Sequence, residues 1–412
     1  MENDVPRVCR HICYAFHVIA EQDYQLEPVL FQRVASVLLM KTQDESPAAK
    51  EQRLQSSAYN ALAIVVKKVR EPAKLGNILE KLTEEVTNRL QFAIQNKRSD
   101  PQCELHGNLC VCLSELVDKF PREQVLALPA LPHAMMKSYI ECFELYASLN
   151  EDSVLPDTLM AVSMLIKKME QGFEPYVQPC LKYFETALRN SDDVQTCNMC
   201  TSLVGNPLAH HLKLKFMPFS EVLIAPIIEN VKKDVDKKIK LSCICTLGDV
   251  AMALGGSFVP ALPSVIQVLG HAGEIRVSDE DADNVEWLEY VNKLRENVLE
   301  AYVSIAFGLQ EGQVLDKFKG HVNQATTLIG MVIEDFGRTQ QLGHQIVSLE
   351  VLRLACALLS DLVEFFQKDM CDFVRNAPYL TTMLNDVPKQ TNDEEVMRTL
   401  ALLQNGLRKY GA

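Results

Sequence analysis

No stretch of this 412-residue chain sustains the two-residue alternation of apolar and polar side chains that a half-buried strand needs, so a sheet-based enzyme core is not expected. Tryptophan occurs once, aromatics make up 7% of residues, and glycine (17) and proline (18) are modest, which excludes fibrous and low-complexity classes. No uninterrupted apolar run approaches the ~18 residues that cross a bilayer, and Met1-Glu2-Asn3-Asp4 has neither the basic nor the apolar region of a secretion signal. The expectation is a chain that does not insert into a membrane.

Positive charge is also short. Lys plus Arg number 41 against 54 Asp plus Glu, a formal net charge of -13, which repels phosphate backbones and anionic lipid and attracts basic peptides. Direct nucleic-acid binding is therefore not expected. The main basic cluster, Lys232, Lys233, Lys237, Lys238 and Lys240, is interrupted by Asp234 and Asp236 and reads as a solvated turn between helices.

The motifs of catalysis and metal binding are missing as well. There is no P-loop, no GxGxxG, no HExxH and no GxSxG elbow, and histidines such as His106 and His271 lack a nucleophile or carboxylate at motif spacing. Neither an enzyme nor a cofactor is called for. Cys197-Asn198-Met199-Cys200 has zinc-like spacing with His210-His211 downstream, but no second pair accompanies it, and on a helix the two thiols share a packed face. Asp279-Glu280-Asp281-Ala282-Asp283-Asn284 opens like a calcium loop, yet Asn284 replaces the turn glycine and Tyr290 stands where a bidentate Glu is required. The 13 cysteines are odd in number and sit mostly in apolar helical stretches, which fits a reducing compartment better than a disulfide framework.

What the chain does have is helical periodicity almost throughout. Leu349, Leu352, Cys356, Leu359, Val363 and Phe366 step by three and four and form one stripe. Gly, Pro and polar clusters divide the sequence into seventeen helices at approximately 7–21, 26–42, 50–70, 73–96, 102–119, 122–148, 154–170, 175–189, 193–213, 217–232, 237–254, 259–270, 285–309, 314–336, 343–366, 369–385 and 392–409. Second members of successive pairs recur every ~40–58 residues, near or above the period of HEAT repeats. The punctuation recurs too: Gly255-Gly256 ends one helix before Phe258 and Pro260 start the next, and Gln171-Gly172-Phe173-Glu174-Pro175 has the same form. The expected fold is all-α: a HEAT-repeat superhelical solenoid of stacked antiparallel helix pairs, continuous over 1–412, with about eight pairs and a partial first repeat.

Several segments, in order along the chain, resemble the carboxy-terminal half of the importin-β (karyopherin-β) family. Asp4-Val5-Pro6-Arg7-Val8 and Ile12-Cys13-Tyr14-Ala15-Phe16 resemble DEPRV…VCWAF, and Leu54-Gln55-Ser56-Ser57-Ala58-Tyr59-Asn60-Ala61-Leu62 resembles LRSSAYESL. Asp157-Thr158-Leu159-Met160-Ala161-Val162-Ser163 resembles EDALMAVS; Leu247-Gly248-Asp249-Val250-Ala251-Met252-Ala253-Leu254-Gly255-Gly256 resembles FGDIALAIGG; Tyr290 to Tyr302 resembles YLNELRESCLEAY. The resemblance implies a fragment of a longer nuclear transport receptor, found in cytoplasm, nucleus and at nuclear pores. It would bind the basic importin-β-binding helix of importin-α, or basic cargo, on its concave face. It would touch FG nucleoporins on its convex face and meet Ran-GTP mainly through a missing amino-terminal half. The alternative is a HEAT-repeat scaffold or regulatory subunit whose partner is a folded protein.

The sequence offers named candidates for such a surface. Glu289, Lys293, Glu296 and Glu300 align on one face of the helix from about 285, either as a solvated ridge with a Glu289–Lys293 pair or as the concave wall the resemblance implies. Asp249 and Asp361 lie inside apolar helices and are expected either to pair with a basic group, another repeat's or a ligand's, or to face solvent. By the resemblance, Tyr14 and Leu403 occupy positions where the family has concave-face tryptophans. Leu223, Ile227 and Val265 are candidates for an apolar cleft that takes a nucleoporin Phe, or for plain core.

Overall fold

The computed structural model describes residues 5–21, 25–44, 46–51, 53–97, 105–149, 153–342 and 345–411; Asp4 of the quoted segments lies outside them. The chain divides into two compact units, Met1–Ala187 and Leu188–Ala412. Each is all helical among the described residues apart from one isolated parallel bridge, Leu26 to Val69, in the first unit.

In the first unit α1 (Pro6–Glu21), α2 (Pro28–Thr42), α3 (Pro47–Glu51), α4 (Leu54–Lys67), α5 (Gly76–Lys97), α6 (Leu105–Lys119), α7 (Arg122–Ala127), α8 (Ala130–Leu149), α9 (Leu155–Met169) and α10 (Glu174–Arg189, which crosses the boundary) form successive pairs. Helix α2 packs on α4, α5 on α6 and α8 on α9, while α1, α4, α6 and α9 pack in series as a second-helix row. The expected helix 122–148 is two helices, because Pro129 removes a backbone donor and restricts Leu128 before it.

The second unit repeats the plan with α11 (Val194–Leu203), α12 (His210–Leu212), α13 (Met217–Lys232), α14 (Lys237–Leu254), α15 (Leu262–Gly273), α16 (Val285–Glu311), α17 (Val322–Leu342), α18 (Leu349–Asn376), α19 (Pro378–Gln390) and α20 (Glu394–Tyr410). The first-helix row runs α13, α15, α17, α19; the second-helix row runs α11, α14, α16, α18, α20. The expected helix 193–213 is broken at Asn206 (φ -130, ψ 106), ahead of Pro207. The expected break after 366 takes the form of a kink at Gln367 inside α18.

Adjacent second helices are joined by polar contacts at the repeat spacing. Ser242 Oγ donates to Asn198 Oδ1 (2.5 Å), Thr246 Oγ1 to the Thr201 carbonyl (3.0 Å) and Asn297 Nδ2 to the Leu241 carbonyl (3.2 Å). Such ties satisfy polar groups that would otherwise be buried unpaired, at a net gain of about 1 kcal/mol each. Helices α14 and α16 approach closely because position 308 is glycine: a Cβ there would stand 2.5 Å from the Ala251 carbonyl oxygen.

The junctions between repeats share one backbone device. Glu170 (φ 49, ψ -123), Lys213 (φ 50, ψ -127) and Gly255 (φ 53, ψ -126) each end a helix and open a 3₁₀ turn whose last residue, Phe173, Phe216 or Phe258, is buried. The positive-φ residue of the earlier junction is therefore Glu170, not the glycine at 172. Lys237–Phe258 is, by length and composition alone, apolar enough to cross a bilayer, contrary to the expectation for this chain. Half of that stretch is buried, and its Ile239, Cys243, Leu247 and Val250 belong to the core where α14 meets α11, α13 and α16.

Candidate partner-binding face

Core residues of α14, α16, α18 and α20 follow the three-and-four spacing, which leaves the other side of each helix for polar residues. On α14 that side carries Cys245 and Asp249, one turn apart and both exposed. On α16 it carries Lys293, Glu296 and Glu300; on α18, Glu350 and Arg353; on α20, Glu395.

Glu300 links the group. Burial raises the Asp249 carboxyl, with His210 opposing and Glu300 adding to the rise. Burial pushes the exposed-edge thiol of Cys245 up to about 11, and the negative charges of Glu300 and Asp249 push it the same way. Lys293 is raised first by its hydrogen bond to Glu296 (2.8 Å), with Glu300 contributing. Arg353 is raised by Glu350, which it grips at 2.8 and 2.5 Å, then by Glu395 (3.9 Å) and Glu300. Glu296, Glu300, Glu350 and Glu395 thus act on two cations, Asp249 joins them through Glu300, and the surplus over four successive helices is negative.

The structure brings together three of the expected residues, Asp249, Glu296 and Glu300. Glu289 is exposed two turns earlier on α16. Its expected salt bridge is not the one formed by Lys293, which pairs forward with Glu296. Asp361 is partly buried two turns beyond Arg353 on α18; burial, then the charge of Glu364, raises its carboxyl to about 6. Tyr14 belongs to the first unit, where it is 67% exposed beside a cleft of about 390 Å³ lined by Arg10, His11, Cys13, Ser57, Asn60 and Ala61.

Leu403 is corrected, and for Leu223, Ile227 and Val265 the core alternative holds. Leu403 is fully buried on α20, where the stripe Val396, Leu400, Leu403 packs on α18; the exposed leucine is Leu402, 58% open. Leu223, Ile227 and Val265 are fully buried as well and offer no wall to an incoming ring. The clefts of the first-helix row lie further along. One of about 350 Å³ between α17 and α19 is lined by Ile333, Phe336, Tyr379 and Val387, and one of about 160 Å³ between α15 and α17 by Leu328 and Met331. Glu350, Arg353 and Glu395 were not among the candidates; their signal is the repeat itself, since 249, 300, 353 and 395 fall one repeat apart in turn.

Cys197 and Cys200 are buried on α11, and Cys197 Sγ donates to the Leu188 carbonyl (3.5 Å), a packing role. Asp279 pairs with Arg338, and Asp281 accepts from Ser278 Oγ (2.6 Å).

Paired helices in two rows with polar ties at the repeat spacing define a HEAT-type repeat protein. The family model described as "Importin subunit beta-1-like, TPR repeats" matches residues 3–388, and the chain belongs to that family. Importin subunit beta-1 of Schizosaccharomyces pombe is 23% identical over 93% of this chain and 43% of its own length. A crystal structure of importin beta superposes with a TM-score of 0.77 at 19% identity over 99% of this chain and 48% of that one. The Kap95:Nup1 complex gives 0.65 at 18% identity, over 99% and 46%. The chain therefore spans less than half the length of the relatives it matches.

Proposed function

We propose that this chain is the part of a nuclear transport receptor that holds a basic segment, such as the importin-β-binding helix of importin-α or a basic cargo peptide, against the second-helix row of its second unit. The supporting observation is the Glu300 group: five carboxylates against two clamped cations, on a chain of net charge -13. Distributed charge pairs of this kind speed capture and confer salt sensitivity. Cytoplasm, nucleus and nuclear pores are the locations this reading implies. The test is a salt-titrated binding assay with a basic importin-α amino-terminal peptide. Binding that weakens with salt and is lost in Glu300→Lys supports the reading; no binding at low ionic strength removes it.

A second contact is favoured by the cleft between α17 and α19, where the exposed Tyr379 ring offers a face to a phenyl group. Kap95, a structural neighbour, was solved with Nup1. An FG peptide that binds this chain and loses affinity on Tyr379→Ala, at a ring 39% exposed, would support that contact.

A further inference from the structure

The chain's single tryptophan, Trp287, lies in the first turn of α16 with Tyr290 beside it, ring centroids 5.3 Å apart and planes inclined by 38°. Both rings are partly buried against the cluster Val277, Val291 and Ile346, which fixes them in place. The ammonium of Lys237, at the start of α14, stands 5.6 Å from the Trp287 centroid and 5.3 Å from that of Tyr290, and 3.0 Å from Glu286 Oε1. Asp234 is close enough for its charge to act, after burial, on the Tyr290 hydroxyl.

We propose that Trp287, Tyr290 and Glu286 form a binding site for the ammonium of a partner's lysine, and that Lys237 occupies this site in cis until the partner displaces it. The chemistry of the ligand is read from the group already there. Two π faces attract a cation, and a carboxylate accepts one of its N–H bonds, which suits an unmethylated lysine. Lys237 is a weak occupant: it is 45% exposed, and the Glu286 carboxylate that pairs with it is 85% exposed, so little of the contact is desolvated. When it leaves, Glu286 loses that partner, and an incoming ammonium meets its carboxylate with the charge of Asp234 near Tyr290.

The site is independent of the Glu300 group. Tyr290 precedes Lys293 by one turn on α16, so one basic segment can reach both, yet either can fail while the other holds.

Because Trp287 is the only tryptophan, its emission reports on the site without a label. The full chain is titrated with a pentalysine peptide. Lys237→Ala vacates the site, and binding is expected to tighten about fivefold, the scale of one cation–π contact, with a change in Trp287 emission. Adding Tyr290→Leu to that variant should abolish the gain. Lys238→Ala makes the same change in charge one residue further on and should give no comparable gain. An equal gain in Lys238→Ala, or none in Lys237→Ala with its melting temperature preserved, overturns the proposal. If Lys237→Ala fails to fold, Glu286→Gln serves instead: it must weaken pentalysine binding with the emission response reduced, and unchanged binding overturns the site.

Discussion

Arg295 of α16 and Asp335 of α17, both closed to solvent, meet at 2.6 Å between Nη2 and Oδ2. Burial by itself would raise the Asp335 carboxyl, but hydrogen bonds from Arg276 and Arg295, and then from Arg338, hold it below the ordinary carboxylate value. Arg276 comes from the segment after α15, so one aspartate ties three successive elements of the second unit. Arg295 keeps two buried donors, Nε and Nη1, without a protein partner.

Asp335→Asn should be the costlier disruption of this node. It leaves three arginines facing one another, one of them fully buried, and removal of one partner from a buried pair costs about 3–5 kcal/mol. Arg295→Met should cost less, because Arg276 and Arg338 still neutralise the carboxylate. Denaturant unfolding of both variants ranks them; the reverse order would contradict the assignment. The lowered carboxyl also has a pH consequence: its contribution is fully present above about pH 4 and is lost as pH falls through the folded-state value.

Asp361 carries the opposite sign. Its carboxyl is raised from 3.8 to about 6, first by burial and then by Glu364, so the folded protein resists its ionisation. The penalty is absent below the unfolded value, grows between about pH 4 and 6, and is complete above that. Asp361→Asn should therefore raise the melting temperature at about pH 7.5 and leave it nearly unchanged at about pH 4. Equal shifts at both pH values would rule out the titration.

Glu300 and Cys245 provide a chemical reading of the acidic face. Cys245 is the exposed cysteine among the described residues, and burial, followed by Glu300 and Asp249, pushes its thiol up to about 11. Glu300→Gln should lower that value and speed alkylation of Cys245 at about pH 8.5, since the thiolate is the nucleophile. The rate of iodoacetamide labelling at Cys245 measures this; an unchanged rate would separate Glu300 from the group.

The junctions predict a pair of opposite stability effects. Lys213 (φ 50, ψ -127) and Gln367 (φ 46, ψ -118) hold a backbone conformation that glycine adopts without strain, as Gly255 does (φ 53, ψ -126). Replacing either by glycine should stabilise the chain by about 1 kcal/mol, while Gly255→Ala should destabilise it by about 1–3 kcal/mol. Thermal unfolding checks both signs.

Much of this was legible without coordinates. The core stripe of α18 appears in Leu352, Cys356, Leu359 and Val363, all buried, and the helix end at Gly255 follows from its glycine pair. The placements that changed concern which residues reach the surface. Leu402 and Leu403 are adjacent and equally apolar, and Val396, Leu400 and Leu403 step by four and three as a core stripe does, so the surface placement of Leu403 came from the resemblance and not from the spacing. Leu223, Ile227 and Val265 were on the expected row, but a cleft is a property of the space between two helices, and the clefts fall beside Tyr379 and Met331.

The sequence alone therefore determined the helices, their pairing and the sign of the charge, because spacing, turn chemistry and composition are local properties carried by each segment. Tertiary structure decided which charges meet. Asp249, Glu300, Arg353 and Glu395 lie tens of residues apart and become neighbours only when repeats stack, and Trp287 gains its lysine only because α14 and α16 begin side by side. Those distances depend on how helix ridges pack, a matter of three-dimensional fit that no local pattern encodes.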